Sequence, residues 1–309
     1  MKLHVPVLLE EAIEGLAPEP GGKLIDATLG GGGHAEAILE RIGPDGRLLG
    51  LDADPEAIRR CRERLARFGD RLQAVQARFS TMTVVAAGNH FGPVDGVLMD
   101  LGVSSYQVDE PGRGFSFRMD GPLDMRMNPA DPISAAELVA TISERDLADL
   151  LYRLGEEPAA RRIARRIVAV RTATPLRTTS ALAETVVAAG ARSRPGIHPA
   201  TRTFQALRMA VNRELEELES GLDQALGLLR PGGRLAVISF HSLEDRLVKL
   251  WIRDHVGRRE SLPGGGERVT RRDPPVRALT RKPLRPGVDE CERNPRARSA
   301  RLRVAERMS

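Results

Sequence analysis

Short apolar blocks alternate with longer amphipathic stretches over the first hundred positions. Strands are predicted at 24–28, 47–52, 72–77 and 94–100, with helices near 34–42, 55–67 and 80–90. Apolar strands separated by helical stretches read as a parallel sheet buried on both faces. Ligands of such sheets lie beyond the carboxyl ends of the strands, which sets Gly30, Asp52, Phe79 and Asp100 along one rim. After Leu101 the pattern breaks. Residues 102–132 are rich in Gly, Pro, Asp and Met and read as an irregular loop. From Ser134 to about Arg192 the signals are helical: Ser134-Ala-Ala-Glu137 and Ser143-Glu-Arg-Asp146 look like N-terminal caps, and helices follow over Pro158–Arg171 and Thr179–Ala189. A turn, Ser193 to Pro199, leads to one long helix through 202–229, and the sheet resumes at Arg234–Phe240. The predicted fold is therefore α/β, a doubly wound Rossmann-like core with an inserted all-helical domain. Its core would be residues 1–105 and 206–309, and its insertion, with a substrate-side loop, 106–205.

A length of 309 residues agrees with a core plus an insertion. Two cysteines give neither a disulfide framework nor metal-ligand spacing, so no metal site is expected, and a reducing cytoplasm is. No run is long and apolar enough for a bilayer, so no membrane partner is expected. The net charge of +5 is uneven: residues 253–309 hold 16 Lys/Arg against 8 Asp/Glu. A basic tail on a mildly acidic body suits a polyanion. Aromatics make up only 3% of the chain, too few for a sheet-borne base-stacking platform.

The densest chemistry lies in Leu24-Ile-Asp-Ala-Thr-Leu-Gly-Gly-Gly-Gly-His34, followed by Leu48-Leu-Gly-Leu-Asp52. A strand, a glycine turn, a helix start and a second strand ending in a carboxylate bind an adenosine-type cofactor, the acid accepting from ribose hydroxyls. Gly30-x-Gly32-x-x-Ala35 also satisfies the nicotinamide fingerprint, so an NAD-dependent oxidoreductase is one reading. Against it, Asp26 would crowd a pyrophosphate but suits a cofactor carrying an ammonium and a sulfonium. Leu229-Arg-Pro-Gly-Gly-Arg-Leu235 is a turn and strand common late in the sheet of S-adenosylmethionine methyltransferases. Cofactor contacts are expected from Asp26, Gly30, Gly32, Gly33 and Asp52.

Asp100 ends the fourth strand in Asp100-Leu-Gly-Val, where amine-methylating enzymes carry an (Asp/Asn/Ser)-Pro-Pro-(Tyr/Phe) motif. An exocyclic base amine is a weak nucleophile, and an acceptor on its N–H with an in-line approach supplies what it lacks. Asp100 is either that acceptor or an orienting group. Ser239, His241 and Asp245 lie too close in sequence for a hydrolase triad. Ser239 and His241 are read as facing the target base or phosphate, with a helix cap by Ser242 and Asp245 as the alternative. In the loop, Arg113, Phe115, Phe117, Asp124 and Arg126 either clamp an everted base or pack against the insertion. As a strand, the tail sets Arg301 and Arg303 on one face for phosphate contacts, Leu302 and Val304 facing the core.

His4-Val-Pro-Val-Leu-Leu-Glu10, the glycine turn through His34, Asp100-Leu-Gly-Val-Ser-Ser105, Arg113-Gly-Phe-Ser-Phe117, Gly121-Pro-Leu-Asp-Met-Arg-Met127, His198-Pro-Ala-Thr-Arg-Thr-Phe-Gln205, Ile238-Ser-Phe-His-Ser-Leu-Glu-Asp245 and Asn294-Pro-Arg-Ala-Arg-Ser299 occur together. Nearly end to end, the chain resembles the ribosomal RNA small subunit methyltransferase H family. The resemblance implies a class I methyltransferase core, S-adenosylmethionine as cofactor, and methylation of cytidine N4 in 16S ribosomal RNA at the decoding centre. It implies cofactor contacts from Gly32, Gly33, His34, Asp52, Phe79, Asp100 and Gln107, and a small ribosomal subunit or its 16S rRNA as partner. A non-catalytic ribosome-assembly RNA binder is the other rival. Monomer and homodimer are both open.

Overall fold

The computed structural model describes residues 6–192, 196–256 and 273–309, and the backbone of 259–261 and 267–269. His4 and Val5 of the first motif, Ser193–Pro195 of the predicted turn and the side chains of 257–272 lie outside the described residues. The described strands are β1 (Lys23–Asp26), β2 (Arg47–Asp52), β3 (Leu72–Gln76), β4 (Val94–Asp100), β5 (Leu229–Ser239), β6 (Arg259–Ser261), β7 (Glu267–Val269), β8 (Val276–Ala278) and β9 (Arg301–Arg307). Seven form one sheet in the order β3-β2-β1-β4-β5-β9-β8, and β6 pairs with β7 apart from it. β1 to β5 run parallel, and β9 is antiparallel to β5, Arg234 opposite Glu306 and Ser239 opposite Arg301.

The two-residue repeat of a strand explains the core. Leu24, Leu48, Leu98, Ile238 and Leu302 point to one face, under the helices Leu9–Leu16, Gly33–Ile42 and Pro55–Arg64. Ile25, Leu49, Met99, Val237 and Ala305 point to the other, under Met82–Gly88, Glu214–Leu228 and Ser242–His255. With both faces covered, the strands read as unbroken apolar runs. The doubly wound α/β expectation holds. No helix among the described residues is long and apolar enough to cross a membrane.

The chain divides into two compact units, Met1–Gly102 with Leu215–Ser309, and Val103–Glu214. The second contains the helices Ala135–Thr141, Glu144–Gly155, Ala160–Ala173, Thr179–Ala188 and Thr201–Asn212 around Leu151, Ile163, Ile167, Leu182 and Leu207. Ser134 and Glu137 form a full capping box, and Ser143 accepts from the Asp146 N–H, as expected. Gly155 is required where two helices meet, since a Cβ there would lie 2.7 Å from the Arg202 carbonyl oxygen.

One helix differs from expectation. The run 202–229 is two helices, Thr201–Asn212 and Glu214–Leu228, broken at Arg213, whose φ of 54° is left-handed. Asn212 beside the break is buried: its amide donates to the Met125 and Arg208 carbonyls, and its Oδ1 accepts from the Met127 N–H. With no Gly or Pro at 213, local sequence carried no stop signal.

Candidate active site

The rim is built at the carboxyl ends of β1, β2, β4 and β5. β1 ends on Asp26, 1% exposed, whose Oδ1 accepts from the Thr28 N–H at 3.1 Å. Burial, and then the nearby Asp52 charge, push its carboxyl up to about 7 against that hydrogen bond. β2 ends on Asp52, which accepts from the Asp54 N–H through Oδ1 and the Gly30 N–H through Oδ2, each at 2.8 Å. Burial raises it to about 6, opposed by those two hydrogen bonds. Asp52 therefore fixes the glycine turn, and its oxygens keep further lone pairs for other donors.

Gly30 and Gly32 have φ of 50° and 76°, which glycine adopts freely. Gly32 N-caps the helix Gly33–Ile42, and a Cβ on it would lie 2.8 Å from Cys61 Sγ. Gly33 lies against Pro6, 2.3 Å from where its own Cβ would be. The last two glycines thus serve close packing, and Gly30 has open space around it apart from the Thr28 carbonyl. Phe79 opens a single 3₁₀ turn three residues past β3, half-buried, its ring lying over Gly221.

β4 ends on Asp100. Its N–H donates to Thr28 Oγ1 at 2.6 Å, and its Oδ2 lies 3.5 Å from Nδ1 of the buried His34. Oδ1 is buried with no hydrogen-bond partner among the described residues. Burial first, then the charges of Asp26 and Glu244, hold this carboxyl well above the usual range. Acids converging on a glycine turn, one with an unused oxygen, form a site suited to a cation and an N–H donor.

The raised Asp26 makes a stability prediction. From about pH 3.8, its ordinary value, to about 7, the folded chain binds a proton the unfolded chain has released. Stability from this group therefore falls as pH rises through that window, and the cost is complete above it. Asp26→Asn is expected to stabilise the ligand-free protein at pH 8 by about 2–4 kcal/mol and to have little effect at pH 4. Urea unfolding at both pH values measures this; equal stabilities at pH 8 would remove the buried-charge account.

β5 ends on Ser239, which faces inward: it is buried, and its Oγ donates to the Arg301 carbonyl at 3.4 Å. This corrects the expectation of a substrate-facing hydroxyl, because β9 covers the strand end. His241 caps the helix Ser242–His255, Nδ1 accepting from the Glu244 N–H, while Glu244 Oε2 accepts from the Phe240 and His241 N–H groups. The cap is thus one residue earlier than the proposed Ser242, and Asp245 is engaged elsewhere.

Asp245 accepts from Arg301 Nη1 at 2.7 Å and Arg303 Nε at 2.8 Å. Arg303 is 8% exposed, Leu302 and Val304 are buried, and β9 is covered on both faces. The expected phosphate-facing stripe of Arg301 and Arg303 is corrected: an acid of the same unit takes both guanidinium groups. The strand itself was anticipated; the long-range acid opposite it was not.

Within the helical unit, Arg113 donates from Nη2 to the Arg126 and Met127 carbonyls at 3.0 and 2.8 Å, its guanidinium 5.8 Å from the Phe115 ring centre. Asp124 and Arg126 form a bidentate pair, Nε to Oδ1 at 2.9 Å and Nη2 to Oδ2 at 2.7 Å. Phe117 packs on His198 and Phe204 at 4.6 and 4.7 Å between ring centres. These contacts fit the packing alternative for this loop. Gln107 is buried in the short helix Ser105–Asp109, its Oε1 accepting from the Ser104 N–H in a capping box.

Sequence reasoning missed Thr28, which seats the Asp100 backbone, and Glu244, whose charge reaches Asp100. Thr28 lies two residues after Asp26 and was legible as a strand-end hydroxyl. Glu244 had no local signal beyond its cap spacing.

The MraW methylase family matches residues 1–308. Proteins named ribosomal RNA small subunit methyltransferase H are similar throughout. That of Thermomicrobium roseum is 51% identical over 99% of this chain and 94% of its own length. That of Bradyrhizobium diazoefficiens is 54% identical over 99% and 92%, and that of Syntrophobacter fumaroxidans 52% identical over 98% and 96%. With about half its residues shared with these proteins along nearly its whole length, the chain belongs to the MraW methylase family.

Proposed function

We propose that the chain transfers the methyl group of S-adenosylmethionine to N4 of a cytidine in 16S ribosomal RNA of the small subunit, at the decoding centre, and so works in the cytoplasm. The observation that carries the chemistry is the acid-lined rim, with Asp100 Oδ1, which has no hydrogen-bond partner among the described residues, and a glycine turn that is open at Gly30. The target rests on the names of the similar proteins. The two rivals, NAD-dependent oxidoreductase and non-catalytic RNA binder, find no support in the family.

The rim fits this cofactor. Asp26 and Asp52 are buried acids with raised carboxyls, and a cation nearby would offset the cost of ionising them. When bound, the cofactor supplies a methyl group on a positively charged sulfur. In this reading Asp52 accepts from the ribose hydroxyls, Asp26 faces the ammonium, Phe79 lies along the adenine, and the backbone of Gly30 to His34 lines the approach. Asp100 accepts from the N–H of the target amine, which localises the nitrogen lone pair for attack. The first unit is the catalytic domain and the helical unit the RNA-side insertion.

Small subunits lacking the modification, incubated with the enzyme and methyl-labelled cofactor, should yield labelled N4-methylcytidine on nuclease digestion and mass analysis. Label on another nucleoside, or none, overturns the proposal. Asp52→Ala is expected to weaken S-adenosylhomocysteine binding about ten- to a hundredfold by calorimetry, as loss of a charged acceptor requires. Unchanged affinity would take Asp52 out of the cofactor site.

A further inference from the structure

The segment Pro6–Leu8 is fixed more firmly than its place near the chain start requires. Pro6 packs on Gly33, Val7 and Leu8 are buried, and Leu8 holds a left-handed φ of 53°. The Leu8 N–H donates to Glu290 Oε1 at 2.8 Å. This presents the Val7 carbonyl to the ring of His34, 3.1 Å from Nε2. A carbonyl only accepts, so Nε2 carries the hydrogen. In the neutral ring the lone pair is then on Nδ1, the nitrogen that faces Asp100 Oδ2.

We propose that His34 and Asp100 form a proton relay for the methylated amine, with the His34 tautomer set by the Val7 carbonyl. The inference rests on the reading of Asp100 as the amine acceptor. At the start, the carboxyl is neutral, its proton on Oδ2 directed at Nδ1, and Oδ1 accepts from the amine. The nitrogen forms its bond to the methyl carbon as the carbon–sulfur bond breaks, the electron pair leaving with sulfur. The nitrogen now has one proton too many. That proton binds Oδ1 while the Oδ2 proton passes to Nδ1, so Asp100 stays neutral and the positive charge ends on the imidazolium. Nε2–H remains on Val7 throughout. The charges that reach Asp100 are those of Asp26 from β1 and Glu244 from the helix Ser242–His255, both acids and both acting to keep its carboxyl protonated. The raised carboxyl of Asp100 agrees with a neutral resting group. The 3.5 Å separation must tighten by about 0.5 Å for the transfer, as catalytic hydrogen bonds do on substrate binding.

The test begins with the cofactor-free protein. ¹⁵N NMR of its histidines, with His34 assigned by the peak lost in His34→Gln, should show the Nε2–H tautomer at a pH where the ring is neutral and Asp100 still holds its proton. An Nδ1–H tautomer overturns the relay whether or not any variant folds. His34→Gln keeps a donor for Val7 and removes the base. It should lower kcat about tenfold or more, leave S-adenosylhomocysteine affinity within about threefold, and abolish the rise of kcat with pH that deprotonation of His34 gives the wild type. Wild-type kcat and pH profile in His34→Gln, with Asp100→Asn impaired, overturn the relay alone. Wild-type turnover in Asp100→Asn also counts against the relay, whereas wild-type turnover in Asp100→Ala, which removes the accepting oxygen, overturns the acceptor reading beneath it.

Discussion

Asp100→Asn should reduce turnover by about a hundredfold while changing S-adenosylhomocysteine affinity little. Asparagine keeps the shape of a neutral carboxyl: its Oδ1 still accepts and its amide still donates toward His34. It cannot take up one proton while releasing another. The loss should therefore appear in kcat and leave KM for the RNA particle near its wild-type value, the mark of a group that acts in the transition state. Asp100→Ala, which also removes the acceptor, should fall at least as far. Parallel losses of cofactor affinity and turnover would instead make Asp100 an orienting group for the cofactor. Single-turnover rates with saturating cofactor distinguish these outcomes.

Asp245→Ala should cost about 3–5 kcal/mol of stability at neutral pH, since it leaves the buried Arg303 guanidinium without its partner. Burial alone would raise the Asp245 carboxyl, but the hydrogen bonds from Arg303 and Arg301 outweigh it and hold the group below its ordinary value. Its contribution is thus present above the ordinary carboxylate range and disappears as pH falls through the lowered value in the fold. Wild type and variant should converge in strongly acidic solution. Replacing Arg301 and Arg303 together should act through the same loss of stability, leaving the salt dependence of ribosomal binding unchanged. A flattened slope would restore the tail arginines as phosphate contacts. Urea unfolding and salt-dependent binding measure the two effects.

Local signals carried most of the sheet. Strands and turns around Asp26, Gly30, Asp52 and Asp100 were legible because a buried parallel strand is a short apolar run and its functional acid lies at its end. The caps at Ser134 and Ser143 were legible because a cap is a three-residue relation. What escaped depended on distant partners. Arg303 resembled a surface charge until Asp245 met it across 58 residues, and the Arg213 break is accompanied by Asn212 bonding to the loop at Met125 and Met127. Ser239 looked available because nothing nearby in sequence announces that β9 covers its strand end. The role of the His34 ring was hidden for the same reason: Val7 is 27 residues away.

The pairing of β4 with β5 joins Val94 to Leu229, and the whole of Val103–Glu214 lies between those strands in the chain. β1 to β4 can assemble from neighbouring strand–helix–strand segments, whereas closing a flexible loop of that length carries an added entropic penalty. Helices with local contacts form quickly, so the inserted segment should become ordered before the sheet is complete and shorten the effective gap. Folding then has a sequence in time: the helical segment early, β5 later, and β9 last, because β9 needs β5 as its template. Pulsed hydrogen exchange during refolding should protect amides of 147–167 before those of 234–239, and the reverse order would place sheet closure first.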